Sequence, residues 1–299
     1  MKLQANFQYL PSFIFLVVFL FSFLFYLTSE FSRMQQFTSL ISLVLISTIG
    51  IYHGAFDIKK GIKISNRFNI TISKFSLLYI LFSLVIVLLW FTIPKFLLSM
   101  FLLISIHHFG SEDYQYFNSK YSHLASLLRG ILIIILPLIF HFNETIIIFR
   151  ELNLFTKDNF FLGFDSNYLL LISLIIINFL LSINYVPRVW NKILINIDMV
   201  LMILLNYFFD PLFAFSIYFC FLHSVRNIYK TKEFRLNSTS INLISFITFI
   251  LLIIVFSYLY SRIDLLQSLN YTIFIGLAAL TFPHIATDII YNQLNTERK

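Results

Sequence analysis

Residues 76–94 read SLLYILFSLVIVLLWFTIP. Between Lys74 and Lys95 the chain runs twenty residues without a charge. A helix rises about 1.5 Å per residue, so such a run crosses the roughly 30 Å of a bilayer's hydrocarbon. Outward from this stretch the same texture recurs. Apolar segments fall at about 12–28, 38–57, 74–93, 95–111, 124–142, 168–186, 191–208, 212–229, 241–260 and 272–291. The expected fold is all-α: a polytopic integral membrane helix bundle of about ten transmembrane helices. Pro94 separates the third and fourth segments, and Asp210 with Pro211 the seventh and eighth, because proline disfavours helix at the residue before it. The longest polar connection covers about 143–167. No repeat and no Gly/Ser linker divides the chain, so 1–299 is expected to be one domain. A first helix and loop occupy 1–36, a helical core 37–292 and a short tail 293–299.

Composition agrees. The 299 residues are 59% hydrophobic and 12% charged, with a mean hydropathy of +0.86, against about 25% charged in a soluble domain. The single cysteine, Cys220, excludes an intrachain disulfide and a cysteine-rich metal site. A net charge of +7 would suggest nucleic acid in a soluble protein. Here the basic residues sit between apolar segments, so topology accounts for them and no nucleic acid is expected. One side holds Lys2, Lys59, Lys60, Lys63, Arg67, Lys74, Lys120, Arg129, Arg188, Lys192, Arg226, Lys230, Lys232, Arg235, Arg298 and Lys299. The other holds only Arg33, Lys95, Arg150, Lys157 and Arg262. The positive-inside rule then places both termini in the cytoplasm. The first segment follows one lysine and lacks a small-residue cleavage site, which reads as a retained helix rather than a signal peptide.

Seven histidines punctuate this apolar chain. His53, His107 with His108, His223 and His284 lie about two-thirds along the second, fourth, eighth and tenth segments. All four segments run from outside to inside, so these imidazoles share one depth in the cytoplasmic half. A metal site borne by a bundle needs such an arrangement. Polar groups within a membrane are costly and face a partner or a cavity, and imidazole suits iron, zinc or copper. The plainer alternative for any one of them is a histidine bonded to a backbone carbonyl.

One turn beyond each stands a polar residue: Asp57, Glu112, Asn227 and Asp288. Residues i and i+4 share a helix face, so a carboxylate there can orient a ligand imidazole; the plainer reading is that each marks the headgroup region. Gly50 and Gly54 flank His53 in a G-x-x-x-G that lets helices approach. Gly110 follows His108 by two residues, and Pro283 precedes His284, removing a backbone donor. His123 and His141 lie near helix ends and read as structural or solvated. His107 points about 100° from His108 on a helix, so the two do not share one ion.

Four short motifs stand in order: His53-Gly54-Ala55-Phe56-Asp57; His108-Phe109-Gly110 with Asp113; Phe219-Cys220-Phe221-Leu222-His223-Ser224-Val225-Arg226; and Ile275 through Pro283-His284. Together they resemble the Brp/Blh family of membrane β-carotene 15,15'-dioxygenases, whose patterns H-G-A-L-D, H-F-G-x-x-D, H-S-x-R-H and a closing P-H they follow over about residues 45–290. The resemblance makes 37–292 a carotenoid-oxygenase-like core and the first helix an extension found in only some members. It implies cleavage of the central double bond of β-carotene by O2 to two retinals at histidine-bound iron, Fe(2+), with His53, His108 and His223 as ligands. One position departs from the pattern. The family's H-S-x-R-H ends in a histidine that is also taken as a ligand, and here Asn227 stands there. Its amide oxygen is a poorer ligand for Fe(II) than imidazole. Three outcomes stay open: His284 completes a four-histidine set, three histidines suffice beside an open position, or activity is weakened or lost.

On this reading the protein supplies ligation, orientation and a dry cavity. A tunnel lined by Phe, Leu and Ile admits β-carotene sideways from the bilayer. Asp57, Glu112, Asp113 and Asp288 stand behind the ligands rather than acting as acid or base. No nucleophile–base pair, phosphate loop or H-x-x-x-H cluster of a two-iron desaturase stands out. Two rivals remain: a carotenoid- or retinal-binding homologue without turnover, for which Asn227 speaks, and a b-type haem between two histidines. The expected setting is a bacterial plasma membrane, crossed many times. By the resemblance, a retinal-binding rhodopsin in the same cell is the natural user of the product.

Overall fold

The computed structural model describes residues 8–28, 35–117, 119, 122–152, 168–230 and 239–296. Within its helices the side chains of residues 28, 35, 36, 52, 53, 230, 239–241, 243, 244, 295 and 296 are not described. Lys2, Arg33, Lys120, Lys157, Lys232, Arg235, Arg298 and Lys299 of the charge comparison thus lie outside the described residues, as does the side chain of Lys230.

Among the described residues all regular structure is helical. Helix α1 covers Leu10–Thr28. Helix α2, Gln35–Leu45, runs into a π-turn, Ile46–Gly50, and a single α-turn, Ile51–Gly54. Helix α3 is Asp57–Phe68, α4 Ile72–Thr92, α5 Pro94–Tyr116, α6 His123–Phe140 and α7 Phe142–Glu151. Helix α8 is Tyr168–Tyr185 and α9 Val189–Phe208. Helix α10, Pro211–Ile217, passes through a second π-turn, Tyr218–His223, into α11, Ser224–Lys230. Helices α12, Thr239–Tyr260, and α13, Leu265–Thr296, complete the order.

Six of these helices, α1, α4, α6, α8, α9 and α13, are long and apolar enough to cross a membrane, and Phe37–Gly50 and Ser245–Tyr260 are shorter apolar stretches. That is the make-up of a membrane helix bundle. Local chemistry sets the ends where the sequence suggested. Pro94 is the first residue of α5, and the Asp210 carboxylate caps α10 by accepting from Phe213 N at 3.0 Å. Asn69 closes α3 in the left-handed region, with φ of 53°, which asparagine tolerates.

Three features differ from the sequence reading. The second and eighth segments are broken by π-turns rather than running as single α-helices. The polar connection begins with a helix, α7, because Ile146, Ile148 and Phe149 bury against the bundle. And Lys60, Arg129 and Arg226, counted among loop charges, are buried, each paired with carboxylates.

Helix α13 is the central post, packing against α2, α3, α4, α5, α7 and α12. Helices α5 and α6 cross backbone to backbone. A Cβ on Gly110 would stand 1.8 Å from the Ser126 carbonyl oxygen, and one on Gly130 1.7 Å from that of Ile106. Only glycine fits either place. Helix α1 packs against α9 and the second π-turn. Its Phe15 and Phe19 join the same apolar core as Met202, Leu222 and Leu277, so it is built into the bundle.

Candidate functional site

The π-turn Tyr218–His223 ends on His223, and the π-turn Ile46–Gly50 stands just before His53. Such turns hold an extra residue and occur often at functional sites. The two turns pack on each other. Gly50 makes room for Phe219, whose Cε1 would lie 2.7 Å from a Cβ at that position. Phe219 in turn stacks on the His223 ring at 5.6 Å and 16°. Phe109 meets the same ring edge-on at 4.8 Å. His223 is therefore held in an aromatic slot and is 2% exposed.

Two more imidazoles join it. The His108 ring centre lies 5.1 Å from that of His223 and 5.3 Å from that of His284, with interplanar angles of 68° and 89°. All three are buried. They stand on the wall of one cavity of about 400 Å³. The rest of that wall is mainly apolar, from Leu43, Ile46, Phe109, Ile273, Leu277 and others. His53 lies on the turn Ile51–Gly54, whose neighbours Ile51, Gly54 and Ala55 line the same cavity, but its side chain lies outside the described residues.

The carboxylate behind these rings is reached across helices. The Asp57 carboxylate accepts from Nδ1 of His284 at 2.7 and 2.9 Å. Its Oδ2 also accepts from the Tyr79 hydroxyl at 3.0 Å, and its Oδ1 from Lys60 Nζ at 3.5 Å. Lys60 also donates to Asp288. Burial lowers the affinity of the Lys60 amine for its proton, but Asp57 and Asp288 outweigh it and hold the group above the ordinary lysine value. Asp57, His284 and Asp288 offer ligand atoms within 4.8 Å of one another. The Lys60 ammonium already serves as the cation between the two carboxylates, so the trio reads as a charge network rather than a metal site.

Asp113 belongs to a second network. It accepts from Arg129 Nε at 2.9 Å and Arg226 Nη1 at 2.6 Å. Arg226 also pairs with Asp198, which accepts from Ser12 Oγ at 2.9 Å. The Arg226 guanidinium lies over the Phe117 ring, 5.0 Å from its centre. Two carboxylates and two guanidiniums balance, and all four residues are at most 2% exposed. Sequence reasoning missed Asp198 and treated the arginines as loop charges. The available signal was a carboxylate amid the apolar 191–208 segment, since a buried charge demands a partner.

The other candidates are placed as follows. Glu112 is half-buried on α5, and Asn227 is buried on α11, one turn beyond His223. His107 and His123 are exposed, and His141 is half-buried at the junction of α6 and α7. Gly54 has no described atom within 4 Å of a Cβ position, so of the two glycines flanking His53 only Gly50 serves close packing.

Three imidazoles on one cavity wall are chemically suited to iron, zinc or copper, while among the described residues only Asp57, His284 and Asp288 have ligand atoms that all lie within 4.8 Å of one another. Metal–nitrogen bonds of about 2.1 Å bring the ring centres of two imidazoles on one ion to about 5 Å, which the His108–His223 and His108–His284 separations match.

A family model described as Beta-carotene 15,15'-dioxygenase matches residues 44–288. A protein named Beta-carotene 15,15'-dioxygenase, from the uncultured marine bacterium 66A03, is 30% identical over 278 residues, covering 86% of this chain and 96% of that protein. No solved structure matches.

Proposed function

This chain belongs to the beta-carotene 15,15'-dioxygenase family, and on that premise we propose that it cleaves the central 15,15' double bond of β-carotene with O2 to give two retinals. One carbon–carbon double bond is replaced by two carbonyls, both oxygen atoms enter the products, and no reductant is consumed. The observation that carries the reading is the set of three buried imidazoles, His108, His223 and His284, on the wall of an otherwise mainly apolar cavity. They would hold iron together with His53, which the family motif supplies.

Bound there, Fe(II) supplies the chemistry that activates O2. The residues of the chain do the rest. Asp57 accepts from Nδ1 of His284, which fixes the tautomer with Nε2 as the ligating nitrogen. Phe109 and Phe219 clamp the His223 ring and keep water from it. Ile46, Ile273, Leu277 and Leu280 hold a polyene by dispersion alone. The same reading takes the ten apolar segments as spans of a bacterial plasma membrane with both termini cytoplasmic. With Lys60, Arg129 and Arg226 set aside, the excess of basic residues on that side persists and supports it.

A second reading, a carotenoid-binding homologue with weakened turnover, is favoured by one observation: Asn227 stands buried one turn beyond His223. A haem between two histidines has less support, because ring centres 5.1 Å apart leave no room for a macrocycle between them.

The test is expression in bacterial cells that make β-carotene, with retinal measured by chromatography and iron measured in the purified protein. Wild type yields retinal, and His108→Ala lowers it by about a hundredfold or more with loss of iron. A well-folded wild type that yields none overturns the oxygenase reading. If Asn227→His then restores cleavage, the site has drifted; if it does not, binding is the function.

A further inference from the structure

The cavity that holds the imidazoles is not closed. Among its lining residues, Ile80 is 62% exposed, Leu251 55% and Ile247 48%. The same side chains therefore face the cavity and the outer apolar surface. They belong to two helices. On α4 the lining residues are Tyr79, Ile80 and Ser83, and on α12 they are Ile247, Thr248, Leu251 and Leu252. Each set follows the spacing of a single helix face.

Both helices pack against α13, yet α4 and α12 scarcely touch each other. Between them runs a seam floored by α13, whose Thr272, Ile273, Gly276, Leu277, Leu280 and Thr281 continue the cavity wall as far as His284. Gly276 keeps the floor low, since a Cβ there would lie 3.0 Å from Leu252 Cδ2. At the inner end, no described atom lies within 4 Å of where a side chain on Gly54 would project. Among the described residues no charged side chain lines this path.

The geometry points to the α4–α12 seam as a lateral binding channel for a long apolar molecule drawn from the lipid phase, with Ile80 and Leu251 as its lips. This rests on the proposed carotenoid reading for the identity of that molecule. A 400 Å³ cavity lies within the roughly 300–1,000 Å³ of ligand pockets. An opening on the apolar flank lets one end of a longer chain remain among lipid tails while its middle reaches the imidazoles. An occupant from water would have to cross the membrane's own apolar surface to use this mouth, so a lipid-soluble ligand is the occupant that fits.

The test uses the full chain in lipid nanodiscs. Leu251→Cys is labelled with N-phenylmaleimide, and Ile253→Cys serves as control, being exposed on the same helix but outside the cavity wall. Cys220 is fully buried and gives a low background. Two readouts are taken: β-carotene retained by the purified protein, by absorbance, and retinal formed. Labelling Leu251→Cys is expected to lower carotenoid uptake about fivefold or more, while the labelled control stays within about twofold. Leu251→Trp, which needs no label, gives the same direction. Unchanged uptake in both Leu251 variants overturns the channel, even if retinal is made. Uptake blocked at Leu251 with no retinal from wild type upholds the channel and overturns the oxygenase reading instead.

Discussion

Two buried charge networks flank the histidine cavity, and they are built on different terms. One joins Asp57, Lys60, Asp288 and Tyr79 to His284, and it includes a cavity-lining imidazole. The other joins Asp113, Arg129, Arg226, Asp198 and Ser12, with Arg129 also donating to the Ile195 carbonyl at 3.5 Å and the Phe117 ring lying over Arg226. The first is partly open, with the Asp288 side chain 15% exposed. The second is sealed. The first ties α3, α4 and α13 to the site, while the second ties α1, α5, α6, α9 and α11 to each other. Buried ion pairs contribute little net stability against apolar replacements, but breaking one partner out is costly. The sealed network should therefore carry the fold, and the open one the chemistry.

The largest expected effect tests the sealed network. Arg226→Met leaves Asp198 and half of Asp113 facing no cation, which costs about 3–5 kcal/mol. The expected result is a large fall in thermal midpoint and in the yield of monodisperse protein. Wild-type stability in this variant would break the comparison.

Asp57→Asn comes next. The amide is nearly the same size, so the fold should hold while His284 loses its anionic anchor. Changes behind a metal ligand cost about 10–100-fold in affinity or activity. Retinal formation and iron content should fall together, with the thermal midpoint close to wild type. A collapse in stability instead would mean the two networks share one role.

Tyr79→Phe should do least. It removes one hydrogen bond to Asp57, worth about 0.5–1.5 kcal/mol. Activity should drop a few-fold, measured as retinal formed per unit of protein, and by less than in Asp57→Asn. An effect larger than that of Asp57→Asn would make Tyr79 a direct partner in the reaction.

Much of the bundle was legible in the chain. Long uncharged runs announce helices, and Pro94 and Pro211 place two of the turns. Of the candidate histidines, the structure brings the rings of His108, His223 and His284 together, and they were legible as candidates because rare imidazoles stand out against an apolar background. Their partners were less so. The i+4 rule pairs Asp288 with His284 and Asp57 with His53. The structure brings Asp57 to His284 across 227 positions and pairs Asp288 with Lys60, while Asp288 Oδ2 also lies 3.8 Å from His284 Nε2. Spacing along one helix cannot reveal which other helix lies alongside. Arg129 and Arg226 were misread for a related reason. A basic residue near a segment end looks the same in sequence whether it faces water or a carboxylate on a neighbouring helix. The π-turns were invisible, since nothing in the letters 46–50 or 218–223 marks an extra residue per turn.

That extra residue has a consequence for length changes in this chain. Each residue advances a helix by about 100°. Deleting one position from 218–222 would let the segment rewind into regular α-helix. The lost step is taken up as the wide turn tightens, so His223 and everything after it on α11 would keep nearly the same face, with Arg226 still toward Asp113. A one-codon gap inside this stretch would thus spare the site's register, whereas the same gap in a regular α-helical stretch would swing every following residue by about 100°.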